Sequence, residues 1–195
     1  MNLVQRLRHL VGGLMPTSFH LQNAASSNNV AALFALEMLH ERRCMQLGAL
    51  RGMDFSAANW RSARLACAHL QSIHLRGATL AEAYFHDAWL EEADLSESNL
   101  HHANLRAAHF ARAKLQRADL TLANLARVDL RDANLQEAVL HQANLWQAQL
   151  QGANLRGADL SDANLEGVAC DEHTILPDGQ PWTGAVRWEN YTGRR

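Results

Sequence analysis

Between residues 64 and 109 the sequence places guanidinium, imidazole and aromatic side chains at intervals of 20: Arg64 and Tyr84 form one series, His69, Trp89 and His109 another, with His86 and Arg106 beside them. Aromatic residues and Arg are the usual anchors of protein interfaces, since each brings a broad contact face and a polar end. An Arg over a Tyr ring also makes a simple intramolecular cation–π pair, so surface decoration accounts for the same pattern equally well. Either way, the chemistry these residues offer is non-covalent recognition.

Other reactive residue types are scattered. Eleven histidines invite a metal reading. His101 and His141 fall in one series, with Thr121 midway between them. If that series stacks on one face, two strand spacings, ~9.6 Å, would separate the two histidines. No carboxylate or Cys completes a ligand set, and no metal or other cofactor is expected. Cys44, Cys67 and Cys170 are odd in number and far apart, with no C-x-x-C, so reduced thiols are expected rather than a disulfide framework. The sequence contains no nucleophile elbow, Gly-rich phosphate loop, HExxH or paired-carboxylate motif, so an enzyme is not expected.

What positions the recognition residues is a repeat. From Leu50 to Leu165 every fifth residue is large and apolar: of these 24 positions, 20 are Leu, three are Phe (Phe55, Phe85, Phe110) and one is Trp60. The residue two places earlier is Ala in 19 of the 24. A helix turns by roughly 100° per residue, so five steps carry each leucine to a different side from the last and no stripe forms. In a continuous strand an odd spacing would send them to opposite faces. Short extended segments separated by corners satisfy both constraints, with the large residue and the Ala inside and the other three positions in solvent.

The motif A-[DN]-L-x-x, seen as ADLSE, ANLRA, ADLTL, ANLAR, ANLQE, ANLRG and ADLSD, resembles the pentapeptide-repeat family over roughly residues 46 to 170. The resemblance implies an all-β fold, a right-handed quadrilateral β-helix with four pentapeptides per coil. Six coils would then stack into a rod on the order of 30 Å long. A filled solenoid core of this kind leaves no concave catalytic pocket.

Solenoid ends expose unpaired edges, and both flanks are expected to cap them. The organisation read from the sequence is residues 1–46 as a helical segment and cap, 47–170 as the solenoid, and 171–195 as an irregular C-terminal cap. Asn28 or Asn29 suits a helix N-cap, with Arg42 and Arg43 in the last turn. Val30, Leu33, Phe34, Met38 and Leu36 are the candidates to cover the first coil. Asn2 to Leu14 reads as a second short amphipathic helix, packed on the cap or on a second subunit, with membrane-surface contact as the other reading. Trp182, Trp188 and Tyr191 are expected to seal the last coil. In pentapeptide-repeat relatives a C-terminal segment also forms the dimer interface, which leaves a homodimer open.

The net charge of -2 is too small for a generic nucleic-acid binder and too balanced for a disordered chain. With no apolar run of ~20 residues and no signal-peptide core, the sequence reads as a soluble cytoplasmic protein without membrane contact. Relatives conferring quinolone resistance resemble duplex DNA in shape and acidity and bind DNA gyrase, so a gyrase- or topoisomerase-directed DNA mimic is the alternative function. Such mimicry needs a dense negative surface. Here Arg106, Arg112, Lys114, Arg117, Arg127 and Arg131 interrupt the acids.

One asymmetry favours a protein-binding scaffold. The position before each central residue is Asp or Asn in 11 of 15 cases from 94 to 164, but in only two of nine from 49 to 89. The departures include Arg64, His69, His74, Thr79, Tyr84 and Trp89. Coil closure does not require such large outward residues, so Arg64, His69, Tyr84, His86, Trp89, Arg106 and His109 are expected to contact a protein partner, which the sequence does not name. A second, apolar candidate is Leu122, Val139 and Trp146, provided they merge into one patch.

Overall fold

A computed structural model of the protein describes residues 22–41, 48–184 and 186–193. The expected helix at Asn2 to Leu14, together with Arg42, Arg43, Cys44 and the side chain of Met38, lies outside the described residues. Among the described residues the ordered elements are α1 (Asn29–Glu41), a ladder of single-residue bridges, and α2 (Glu189–Thr192). No helix among them is long and apolar enough to cross a membrane.

The ladder follows directly from the five-residue period. Each bridging residue pairs in parallel with the one 20 further on, from Asp54 with His74 through to Gln149 with Ala169. Four pentapeptides therefore make one return of a solenoid. All 24 large apolar positions are buried, and with the 19 Ala that stand two places before them, and Ile73 and Val128 at two of the other such positions, they form one continuous core cluster. Adjacent returns are joined by backbone bonds such as Phe55 N–H to His74 O, 2.8 Å, and His74 N–H to Met53 O, 2.9 Å.

Each pentapeptide is closed by a tight turn, for example Ala58 N–H to Phe55 O, 3.0 Å. The third residue of every such turn from 52 to 167 has a positive φ, and 19 of these residues are not glycine. An L-residue in this left-handed region costs roughly 1–2 kcal/mol, so the corners are the strained part of the fold and the core burial offsets them. Two substitutions test this with opposite signs. Leu122→Gly relieves a corner at φ 59° and is expected to raise stability by about 0.5–1 kcal/mol. Gly152→Ala, at φ 70° and with the Asp132 carboxylate in the way of the new methyl group, is expected to cost about 1–3 kcal/mol. Urea unfolding of the two variants reads both.

The signature Asp or Asn has a local physical cause. At all 13 solenoid positions where it precedes the central residue, its Oδ1 accepts the backbone N–H two residues on, at 2.9–3.3 Å. The side chain thus satisfies the first N–H of the corner, as an Asx turn does. Ser98, inside the core, donates to Leu95 O at 2.7 Å and is a satisfied structural residue.

Asn28 is the N-cap of α1: its Oδ1 accepts from Val30 N–H at 3.0 Å and Ala31 N–H at 3.4 Å. That phase turns Ala32, Ala35, Leu36 and Leu39 inward at i, i+3, i+4, i+7 spacing, into the cluster of Leu50, Phe55 and Trp60. Leu33 packs against the cluster as expected, whereas Val30 is 54% exposed and covers nothing. Trp60 joins the two parts, donating from Nε1 to Ala24 O at 2.6 Å.

At the far end, pairing continues past Cys170, where the sequence period fails. Asn154 bridges Ile175, a return one residue longer than those before it, and Ile175 then pairs antiparallel with Pro181. The extra residue is absorbed at Asp171, whose Oδ1 accepts from the N–H groups of Gly152, His173 and Thr174. Thr174 and Leu176 resume the inward positions, both buried. Trp182 stacks on Trp188 with ring centroids 5.1 Å apart, and Tyr191 donates to Asp178 at 2.8 Å.

Candidate functional site

The solenoid return brings the seven expected recognition residues to one corner and the two faces beside it. On one face His69, Trp89 and His109 bridge in sequence. Their rings form a column: His69 to Trp89 is 5.8 Å between centroids, and Trp89 to His109 is 4.6 Å with near-parallel planes. On the other face Arg64 bridges Tyr84. Between the faces, at the corner, His86 Nδ1 meets the Arg106 carbonyl oxygen at 3.0 Å and its ring approaches Tyr84, with centroids 6.1 Å apart. Tyr84 and Trp89 are 42% and 41% exposed, among the most exposed large hydrophobic residues described.

The two faces differ in how the solenoid continues. Beyond Tyr84 the column becomes Asn104, Asn124, Asn144 and Asn164. Part of this is an amide ladder, with Asn164 Nδ2 donating to Asn144 Oδ1 at 3.1 Å. Beyond His109 it becomes Asp129, which Arg131 grips with Nε to Oδ1 at 2.8 Å and Nη2 to Oδ2 at 2.7 Å.

From 64 to 89 six consecutive repeats lack the Asx acceptor. Among the described residues, the corner N–H groups of Ala66, Gln71, Arg76, Ala81, His86 and Glu91 have no such side-chain bond. A hydrogen bond of this kind is worth ~0.5–1.5 kcal/mol net, so the aromatic and basic residues stand where stability alone favours Asn or Asp.

Sequence reasoning missed how far the corner extends. His86, Arg106, Arg127 and Trp146 lie along it, and the Arg127 guanidinium sits 4.9 Å from the centre of the Trp146 ring. Lining up the two residues after each central position, coil by coil, would have shown it. That cation–π contact, and not one between Arg64 and Tyr84, is the pairing among the described residues. Trp146 is half-buried at this corner, whereas Leu122 stands on the preceding corner and Val139 on the face before that, 38% and 37% exposed. The three apolar candidates thus occupy different positions around the coil.

The histidines are engaged separately: His101 meets His102 edge to face with centroids 4.4 Å apart, and His141 Nδ1 meets the Ser161 hydroxyl at 2.8 Å. Among the described residues no three His, Cys, Asp or Glu gather as a metal set. Burial pushes the Cys170 thiol up to about 11, while Cys67 is exposed at a corner.

Several corner carboxylates are held below their ordinary value of 3.8. Asp129 is lowered chiefly by the Arg131 guanidinium, and Asp159 by the Ser161 hydroxyl and backbone N–H. A depressed folded value means that the stability these groups contribute is complete above the ordinary value and is lost as pH falls through the folded one. The urea midpoint is therefore expected to hold from neutral pH down to about 5 and then to fall. Asp129→Asn, which keeps an acceptor for the Arg131 N–H, should flatten part of that fall.

The family model described as pentapeptide repeats matches residues 133–168 in eight copies, and that described as a pentapeptide repeat region matches 63–140. Similar solved structures include the pentapeptide repeat protein Rfr23 from the cyanobacterium Cyanothece 51142, at 25% identity over 72% of this chain and 96% of that one, TM-score 0.47. HetL from Nostoc sp. Strain PCC 7120, a pentapeptide repeat protein involved in heterocyst differentiation regulation, is 26% identical over 68% and 89%, TM-score 0.28. QnrB1, a plasmid-mediated fluoroquinolone resistance protein, is 17% identical in a trypsin-treated form over 69% and 81%, TM-score 0.37. No curated protein matches the chain. Both family-model matches fall on the stretch where every fifth residue is buried and bridges join each coil to the next, and the chain belongs to the pentapeptide-repeat family, whose members form right-handed β-helices.

Proposed function

We propose that this protein is a non-catalytic scaffold that holds a protein partner on the corner formed by Arg64, His69, Tyr84, His86, Trp89, Arg106 and His109. In this reading residues 47–170 form a solenoid of six coils, residues 1–46 and 171–195 close its ends, and the cytoplasm is where it acts. The observation that carries the proposal is the run of six repeats without an Asx acceptor, among which Arg64, His69, Tyr84 and Trp89 collect on two adjoining faces. Large exposed aromatic residues flanked by Arg and His are the composition of an interface anchor.

The test is a crosslinked affinity pull-down from host lysate, read by mass spectrometry, with wild type beside the Tyr84→Ala, Trp89→Ala variant. A partner recovered by wild type and lost from the variant supports the scaffold reading. A partner set identical for both removes the site. Recovery of gyrase or topoisomerase subunits, unchanged by the variant, moves the function to DNA mimicry.

A further inference from the structure

Five arginines of the described solenoid are neutralised by a neighbouring carboxylate. Arg61 meets Glu82, Arg76 meets Glu97, Arg112 meets Glu92 and Arg117 meets Glu137, each about one coil away, and Arg131 meets Asp129. Arg64, Arg106 and Arg127 are different. They are exposed, and among the described residues no carboxylate pairs with any of them; Arg127 Nε donates instead to the neutral Gln147 Oε1 at 3.2 Å. Arg51 and Arg156, also without a carboxylate among the described residues, stand on other corners, one in the first coil and one in the last. Of the acids beside the three, Asp87 faces His86 Nε2 at 3.1 Å and Asp129 is held by Arg131 at 2.7 Å, and Glu166, on the same corner about two coils beyond Arg127, pairs with none of the three.

These three cations belong to one corner. Arg64 lies on the face just before it, and Arg106 and Arg127 lie on it in later coils. At ~4.8 Å per coil, three coil steps separate the first from the last, about 14 Å along the axis. Tyr84 and Trp89 stand beside the series, and Trp146 lies under Arg127.

We propose that this corner reads an acidic peptide segment of the protein partner, its carboxylates paired with Arg64, Arg106 and Arg127 while its backbone passes over Tyr84 and Trp89. This rests on the scaffold reading and specifies its ligand. An extended peptide rises ~3.3 Å per residue and repeats a face every ~6.6 Å, so acids at alternate positions over about five residues span the three arginines. Guanidinium groups suit carboxylates because they donate in a planar fork. A continuous phosphate backbone suits the corner less well. Asp87 sits on it, Glu91 and Glu92 flank Trp89, and the chain as a whole carries a net charge of -2.

The experiment uses the full chain and two labelled probes of equal charge, an end-blocked ten-residue peptide with Glu at alternate positions and Ser between, and a six-nucleotide oligothymidylate without terminal phosphates. Binding is read by fluorescence anisotropy over a series of salt concentrations. Three proteins are compared: wild type, the triple variant Arg64→Gln, Arg106→Gln, Arg127→Gln, and a control triple variant Arg61→Gln, Arg76→Gln, Arg117→Gln. The expected result is saturable binding of the Glu peptide that weakens with salt, falls at least tenfold in the corner variant, and stays within twofold in the control. No binding to wild type, an equal loss in both variants, or stronger binding of oligothymidylate overturns the inference. Far-UV circular dichroism melts of both variants separate loss of binding from loss of fold. The pull-down with the corner variant keeps the two proposals apart. A partner lost from Tyr84→Ala, Trp89→Ala but retained by the arginine variant leaves the scaffold standing and removes the acidic segment; a partner retained by both removes both.

Discussion

Trp60→Ala is expected to lower stability by about 3–5 kcal/mol, the range for removing a buried aromatic side chain, and to release the N-terminal segment before the rest unfolds. Trp60 is fully buried and lies against Phe55 with ring centroids 5.0 Å apart. Its indole N–H is also the donor to Ala24 O. Truncation therefore opens a cavity where α1 meets the first coil and leaves a buried carbonyl without its donor. In a repeat protein each unit touches only its neighbours, so damage at one end uncouples that end first. Phe110→Ala is the comparison, since Phe110 is equally buried in mid-solenoid. Urea unfolding followed by far-UV circular dichroism should show an early helical transition for Trp60→Ala and one cooperative loss for Phe110→Ala. Trp60→Phe should keep most of the ring packing and lose about 1–3 kcal/mol, because the buried Ala24 carbonyl is left without its donor. If Trp60→Ala and Phe110→Ala unfold with the same single transition, α1 is not held through Trp60.

The second large effect is on partner binding, and it runs opposite to stability. Tyr84→Asn places an Asx acceptor in a solenoid where 13 repeats already have one, and extends the column of Asn104, Asn124, Asn144 and Asn164. It is expected to gain about 0.5–1.5 kcal/mol. Trp89→Asn gains the same bond but forfeits stacking with His69 and His109, worth ~0.5–1.5 kcal/mol, so its net change is close to zero. Partner affinity in the double variant should fall at least a hundredfold, because truncating an interface anchor typically costs ~2 kcal/mol or more and two anchors are removed. A double variant that is less stable than wild type by several kcal/mol would show that the rings hold the coils together and are not spared for recognition. The measurement is a urea midpoint beside a binding titration with the partner from the pull-down.

The core of the fold was legible because it depends on period alone. Leucine at every fifth position with alanine two before it admits few other backbones, and the structure buries them as the spacing requires. The local cause of the Asp and Asn was not legible, since a repeated polar residue looks the same whether it faces solvent or bonds its own backbone. Nor was the phase of α1: NVAALFALEMLHE is apolar almost all round, and only the position of the Asn28 cap decides that Ala32 and Leu39 turn inward while Val30 turns out. The continuation through Ile175 was hidden by a single extra residue, which breaks the count in sequence but is taken up by the turn around Asp171. At the site the columns were readable from the regular return of the chain. The corner series of Arg106, Arg127 and Trp146 emerges only when both positions after the central Leu are aligned together, because its members sit at two different offsets.

Because every corner closes on its own turn bond with the same left-handed residue, an outward side chain can be exchanged without asking its neighbours along the chain to move. Changes more than about 7–10 Å apart then contribute independently, which on this ladder means about two coils. The surface is in effect a lattice of addresses, four per coil, on which contacts can be gained or lost one at a time while the frame stays fixed. Affinity for a ligand lying along the axis can accordingly be tuned in small separate steps.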